Sequence, residues 1–226
     1  EDQPDEMQGV ALLTIGNKND PGVDIMSIVV DNDIRTDWPE EAMDQANNIP
    51  DHVTEEEKSK RVDITDQPAV TIDGDDSKDF DDAVVVWKLP NGNYHLGVHI
   101  ADVSHYVKEG TPLDKEAFAR GNSTYLVDRV IPMLPFRLSN GICSLNPQVD
   151  RLTISCLIKL DKNGNVLSSE IKPSVIRSSE RLTYTYVNEV IDKGLSSTKL
   201  EKQIQLLNEI ALLLRKIKVE RGELDL

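Results

Sequence analysis

Apolar and polar residues along the chain switch between two periods. Val70–Ile72, Ala83–Leu89, Tyr94–Ile100, Leu152–Leu160 and Val166–Ile171 are rich in β-branched and aromatic residues and bounded by turn formers, so they are predicted as strands. In Tyr94–Ile100, Tyr94, Leu96, Val98 and Ile100 fall on one face and His95, Gly97 and His99 on the other. Pro90-Asn91-Gly92-Asn93 and the stretch Asp161–Asn165 read as hairpin turns, and Ser174–Arg177 is expected to continue the sheet. Two further strands are predicted over Gln8–Ile15 and Val23–Val30, joined by a loop of turn formers from Gly16 to Gly22.

The helical period is clearest near the end of the sequence. Leu200, Ile204, Leu207, Ala211, Leu214 and Ile217 recur at steps of three and four, Thr198 and Glu201 have capping-box spacing, and Gly222 supplies a stop. At 1.5 Å per residue this helix would be on the order of 30 Å long. Shorter helices are predicted from Pro39 to Asn47, over Asp114–Arg120 and over Thr183–Ile191, with Asp51–Arg61 as a linker or helical connector.

Composition narrows the class. The 226 residues are 38% hydrophobic, enough for a core, and carry a formal charge of −15. Such a balance argues against a generic nucleic-acid-coating surface, although a divalent cation can hold a phosphate on an acidic protein. Cys143 and Cys156 lack zinc-ligand spacing, and no signal peptide or long apolar run is present, so the expected setting is cytoplasmic, away from membranes. Asn122-Ser123-Thr124 matches a glycosylation sequon that has no meaning in that setting.

Thr71–Ala83 changes the picture most, because Asp73, Asp75, Asp76, Asp79, Asp81 and Asp82 occupy six of ten positions between two predicted strands. Carboxylates crowded this way either face water, take up protons or bind a cation, and an oxygen-only set suits Mg²⁺ or Mn²⁺. A solvated acidic turn is the plain alternative. An EF-hand loop counted from Asp73 would need glycine and glutamate where Lys78 and Val84 stand. A metal-dependent aspartyl-phosphate phosphatase, with Asp73 as nucleophile, is approached by Asp73-Gly74-Asp75-Asp76-Ser77. That reading leaves the second acidic cluster without a role, and hairpins rather than strand–helix units follow. His99, Asp102 and His105 invite a catalytic reading, but hydrogen-bonded structural roles are expected.

Six strings extend the argument: Asp20–Ile25 (DPGVDI), Ile49–Asp51 (IPD), Thr71–Val84 (TIDGDDSKDFDDAV), His99–Val107 (HIADVSHYV), Arg120–Leu126 (RGNSTYL), and IPMLP at Ile131–Pro135 followed by LSNGICSLNP through Pro147. In these and in their order the chain resembles the ribonuclease II and ribonuclease R family of processive 3′→5′ exoribonucleases, with the ribonuclease R branch nearer. The resemblance implies a mixed α/β (α+β) catalytic half-domain over 63–226, preceded by the tail of an OB-type cold-shock barrel over 1–50 and a linker over 51–62. It implies hydrolysis of single-stranded RNA to nucleoside 5′-monophosphates with Mg²⁺ or Mn²⁺.

The family spacing D-x5-D-x-D-D falls on Asp73, Asp79, Asp81 and Asp82, with Asp73 and Asp82 implied to hold one metal. Asp79 and Asp81 would serve the second metal or the attacking water, and Tyr125 would stack on a base near the 3′ end. The family's catalytic arginine, its second stacking aromatic and its S1 domain would lie beyond Leu226. A monomeric fragment, inactive or nearly so by itself, is therefore expected. A non-catalytic RNA-binding relative is the alternative from another class.

Overall fold

A computed structural model describes residues 10–11 and 13–223. Its centre is a seven-stranded mixed sheet in the order β1-β8-β7-β4-β3-β2-β9. The strands are β1 (Val62–Asp63), β2 (Val70–Asp73), β3 (Asp82–Lys88), β4 (Tyr94–Ala101), β7 (Asp150–Leu160), β8 (Val166–Arg177) and β9 (Glu180–Thr183). A separate two-stranded ribbon joins β5 (Thr124–Tyr125) to β6 (Val130–Ile131). Pairing is antiparallel from β8 through β7, β4 and β3 to β2, with hairpin turns joining β3 to β4 and β7 to β8, and parallel at both edges, where β1 meets β8 and β9 meets β2. The hairpin turns fall where Gly92 and Gly164 adopt φ of 83° and 85°.

Alternation along the strands gives the sheet two covered faces. On one, Val86, Tyr94, Leu96 and Leu160 pack under the long helix α7 (Lys199–Glu220), and Val70 and Leu182 meet α7 and α6 (Tyr184–Asp192) through Val190 and Ile204. The capping box is formed: Thr198 Oγ1 accepts from the Glu201 N–H while the Glu201 carboxylate accepts from Thr198 N–H. On the other face Ala83, Val85, Ala101 and Ile176 are sealed by Ile64, Phe80 and Leu145. Gly97 belongs there by necessity, since a Cβ would come within 2.8 Å of Val85 and 2.9 Å of His99.

A second core lies beside the sheet. Ala42 and Ala46 of α2 (Glu40–Asn48) pack on Leu113 of α5 (Pro112–Arg120) and on Leu138, Ile142 and Cys143, the first two lying in a π-helical turn, Arg137–Ile142. Arg137 closes the C-terminal end of α2 by donating to the carbonyls of Ala46 and Ile49. Residues before 50 thus share a core with residues after 100. Two more short helices are α3 (Glu55–Ser59) and α4 (Val103–Tyr106).

One sequence expectation fails outright. Val23–Val30, expected as a strand, is the helix α1 (Val23–Asp31), entered through Gly22 at φ 83° and burying Val29. Gln8–Ile15 lies partly outside the described residues, and positions 10–11 and 13–15 carry no strand. Among the described residues these two stretches form no barrel strands.

Candidate metal and nucleic-acid site

The acidic loop leaves the sheet at Asp73, the last residue of β2, and rejoins it at Asp82, the first of β3. Between them Phe80 turns inward and is 3% exposed, while its neighbours Asp79 and Asp81 face solvent. The aromatic side chain anchors the loop in the apolar core, and the carboxylates on either side are held outward by the same register.

Main-chain and side-chain bonds fix the rest of the loop. Ser144 Oγ donates to the carbonyl of Lys78 (2.8 Å) and accepts from the N–H of Phe80 (3.0 Å). The N–H of Leu145 donates to the Phe80 carbonyl and that of Ala101 to the Asp81 carbonyl, both at 2.8 Å. From β9, the Arg181 guanidinium donates to the carbonyls of Gly74 (3.2 Å) and Asp75 and lies over the Phe80 ring at 5.2 Å. Thr185 Oγ1 donates to the Asp75 carboxylate at 3.1 Å.

Electrostatics sets Asp73 apart. Its carboxyl is raised above the ordinary aspartate range, first by burial and then by the charges of Asp82, Asp81 and Asp79, with Arg181 opposing. Asp82 is raised by burial and by Asp81. Asp73 Oδ2 is buried without a hydrogen-bond partner, a costly condition for a carboxylate. Among the described residues no three Asp, Glu, His or Cys side chains stand close enough together to hold an ion as they are. A repelling, oxygen-only set with an orphaned buried oxygen fits a hard divalent cation.

Tyr125 is not a core tyrosine. It sits on the β5–β6 ribbon with 70% of its surface exposed, and the ribbon is tied back by the Arg120 bond to the Pro132 carbonyl (3.1 Å) and the Met133 N–H bond to Ser123 Oγ (3.0 Å). Arg120 is held in turn by Glu116, both 3% exposed, and Arg35 joins the same carboxylate. His99, Asp102 and His105 form no triad. His99 Nδ1 bonds Ser155 Oγ at 2.7 Å, whereas Asp102 is buried against Arg61 at 2.6 Å and accepts from Ser104. Cys143 and Cys156 are free thiols, and burial pushes Cys143 up to about 12.

The comparisons with known proteins agree with the fold. The RNB domain model matches residues 61–226. The chain belongs to the RNB-domain family. It is 46% identical to ribonuclease R 1 of Lactococcus lactis over 98% of its length and 50% identical to ribonuclease R of Thermotoga maritima over 92%. It spans 28% and 30% of those two proteins. The structure superimposes on ribonuclease R of Mycoplasma genitalium, solved in complex with double-stranded RNA, with a TM-score of 0.86 and 34% identity, covering 93% of this chain and 38% of that one.

Sequence reasoning singled out the aspartates and Tyr125 but missed Ser144 and Arg181, which fix the loop from about 65 and 100 residues away.

Proposed function

We propose that the chain is the part of a 3′→5′ exoribonuclease that carries the metal-binding aspartates, acting on single-stranded RNA and releasing nucleoside 5′-monophosphates. The observation that carries this reading is the acidic loop itself. A D-x5-D-x-D-D set is anchored by Phe80, clamped by Ser144 and Arg181, and leaves Asp73 Oδ2 buried without a partner. Family membership supports the reaction class.

Asp73 and Asp82, at the ends of β2 and β3, would hold one Mg²⁺ or Mn²⁺ ion, and Asp79 with Asp81 would serve a second ion or the attacking water. Bound there, divalent cations supply Lewis acidity, easing formation of a nucleophile from water and offsetting charge on the leaving oxygen. Asp81 has its carbonyl bound by Ala101 N–H, so its carboxylate projects from a fixed backbone and can orient a water or accept its proton. Tyr125 would offer its exposed ring to a base near the 3′ end, without sequence preference.

The test is a time course on 5′-labelled single-stranded RNA and matched DNA with Mg²⁺, using the full-length parent protein and its Asp81→Asn variant. Progressive shortening of RNA alone, abolished in the variant, is the expected result. No shortening by the parent, or unchanged shortening by the variant, would contradict the proposal.

A further inference from the structure

Beside the acidic loop lies a cavity of about 290 Å³, lined by Ser77, Lys78, Phe80, Asn140, Asn146 and Arg181 among others. The chain has 40 acidic and 25 basic residues, yet this cavity draws two cations and two amides and no carboxylate.

Both cations retain bonding capacity. Lys78 lies in sequence between Asp76 and Asp79, but among the described residues its ammonium makes no ion pair or hydrogen bond. Arg181 makes both of its hydrogen bonds through one guanidinium nitrogen, leaving Nε and the other terminal nitrogen for a ligand. Asn140 accepts from Ser139 through its side-chain oxygen, which leaves its NH₂ group free, and Asn146 is fixed by donating to the Asn140 and Ser144 carbonyls. The frame is stiff: Ser144 pins the Lys78 carbonyl, and Arg181 rests on Phe80. An ammonium, two guanidinium nitrogens and an amide NH₂ group on residues lining one cavity are single hydrogen-bond donors of the kind that bind phosphate oxygens.

The geometry points to a phosphate subsite here, next to the aspartates, that takes a phosphate group of the nucleotide chain. The inference rests on the nuclease reading and deepens it. The aspartates and their cations would hold the phosphate undergoing attack, while Lys78 and Arg181 would hold another and so position the strand. Phosphate of the strand and the 5′-phosphate of the released nucleotide share this chemistry.

The test uses the full-length parent in an Asp81→Asn background with Mg²⁺, where cleavage is off and binding of a single-stranded RNA oligonucleotide can be followed against salt. Each lost phosphate contact to a single strand lowers the steepness of log K against log salt by about 0.7. Lys78→Gln, a change at an exposed, unpartnered side chain, is expected to reduce the slope by that amount. Affinity at low salt should fall roughly three- to tenfold. With Asp81 restored, it should raise KM and leave kcat nearly unchanged.

Competition by a nucleoside 5′-monophosphate separates the two sources. If Lys78→Gln weakens that inhibition, the subsite holds the released nucleotide; if only oligonucleotide binding weakens, it holds the strand. Unchanged slope, affinity and inhibition, with RNA still cleaved, would overturn the subsite and leave the nuclease reading standing. A parent that neither binds nor cleaves RNA would overturn both.

Discussion

His99 makes stability depend on pH in a way that one substitution can isolate. The ring is fully buried, Nδ1 bonds Ser155 Oγ at 2.7 Å, and Ser155 continues into Ser174 and Thr153. Nε2 has no partner, so a protonated ring would bury an N–H without an acceptor, and burial brings its pKa from 6.5 down to about 4. The folded pKa lies below the unfolded one, so the contribution is complete above pH 6.5 and is lost as pH falls from 6.5 towards 4. At pH 5 the unfolded histidine is protonated by roughly 30 to 1 and the folded one by about 0.1 to 1, which amounts to about 2 kcal/mol.

Urea unfolding followed by circular dichroism at pH 7.5 and 5.0 measures this, with His99→Gln as the non-titrating comparison. His95 and His105, both lowered first by burial, lose stability on acidification in both proteins, while the raised Asp73 and Asp82 act in the opposite sense. The difference between the two proteins therefore isolates His99. The wild type should lose about 2 kcal/mol more than His99→Gln over this interval. Equal losses would refute the argument, whatever the variant's stability at pH 7.5.

Two further predictions concern the site. Phe80→Ala removes the core anchor of the acidic loop and should destabilise the protein by about 3–5 kcal/mol, read from the urea midpoint, with metal affinity falling although every aspartate remains. Unaltered metal affinity in a folded variant would mean that the loop does not depend on the anchor. In the full-length parent, Tyr125→Ala should change the length of the shortest RNA products while metal binding persists, because the exposed ring contributes stacking of roughly 1–3 kcal/mol per base. Unchanged product length and affinity would remove Tyr125 from the RNA path.

Most of the architecture is readable where one local signal dominates. The capping box, the period of α7 and the two hairpins with Gly92 and Gly164 are local facts, and the structure repeats them. Val23–Asp31 misleads because Val-Asp-Ile-Met-Ser-Ile-Val-Val is apolar enough for either period, and packing of Val29 decides for a helix. β9 was not expected. It exists because Val70–Asp73 offers a parallel edge, a partner about 110 residues away. Long-range partners also hide the loop's supports: neither the Ser144 clamp nor the Arg181 bonds to the loop carry any signature in their own neighbourhood. The acidic loop was legible because its chemistry is concentrated in ten consecutive positions.

The central claim is that the aspartate loop is a divalent-cation site, and titration of this chain with Mg²⁺ while following its melting temperature tests it directly. Saturable binding at a hundredfold excess over Kd adds about 2.7 kcal/mol, or roughly 5–10 °C for a domain of this size. The account predicts such a shift in the wild type. It also predicts that Asp73→Asn, which relieves a buried, unpartnered carboxylate, melts higher than the wild type without metal and gains little from Mg²⁺. No Mg²⁺ effect on the wild type, or an equal effect on Asp73→Asn, would contradict it.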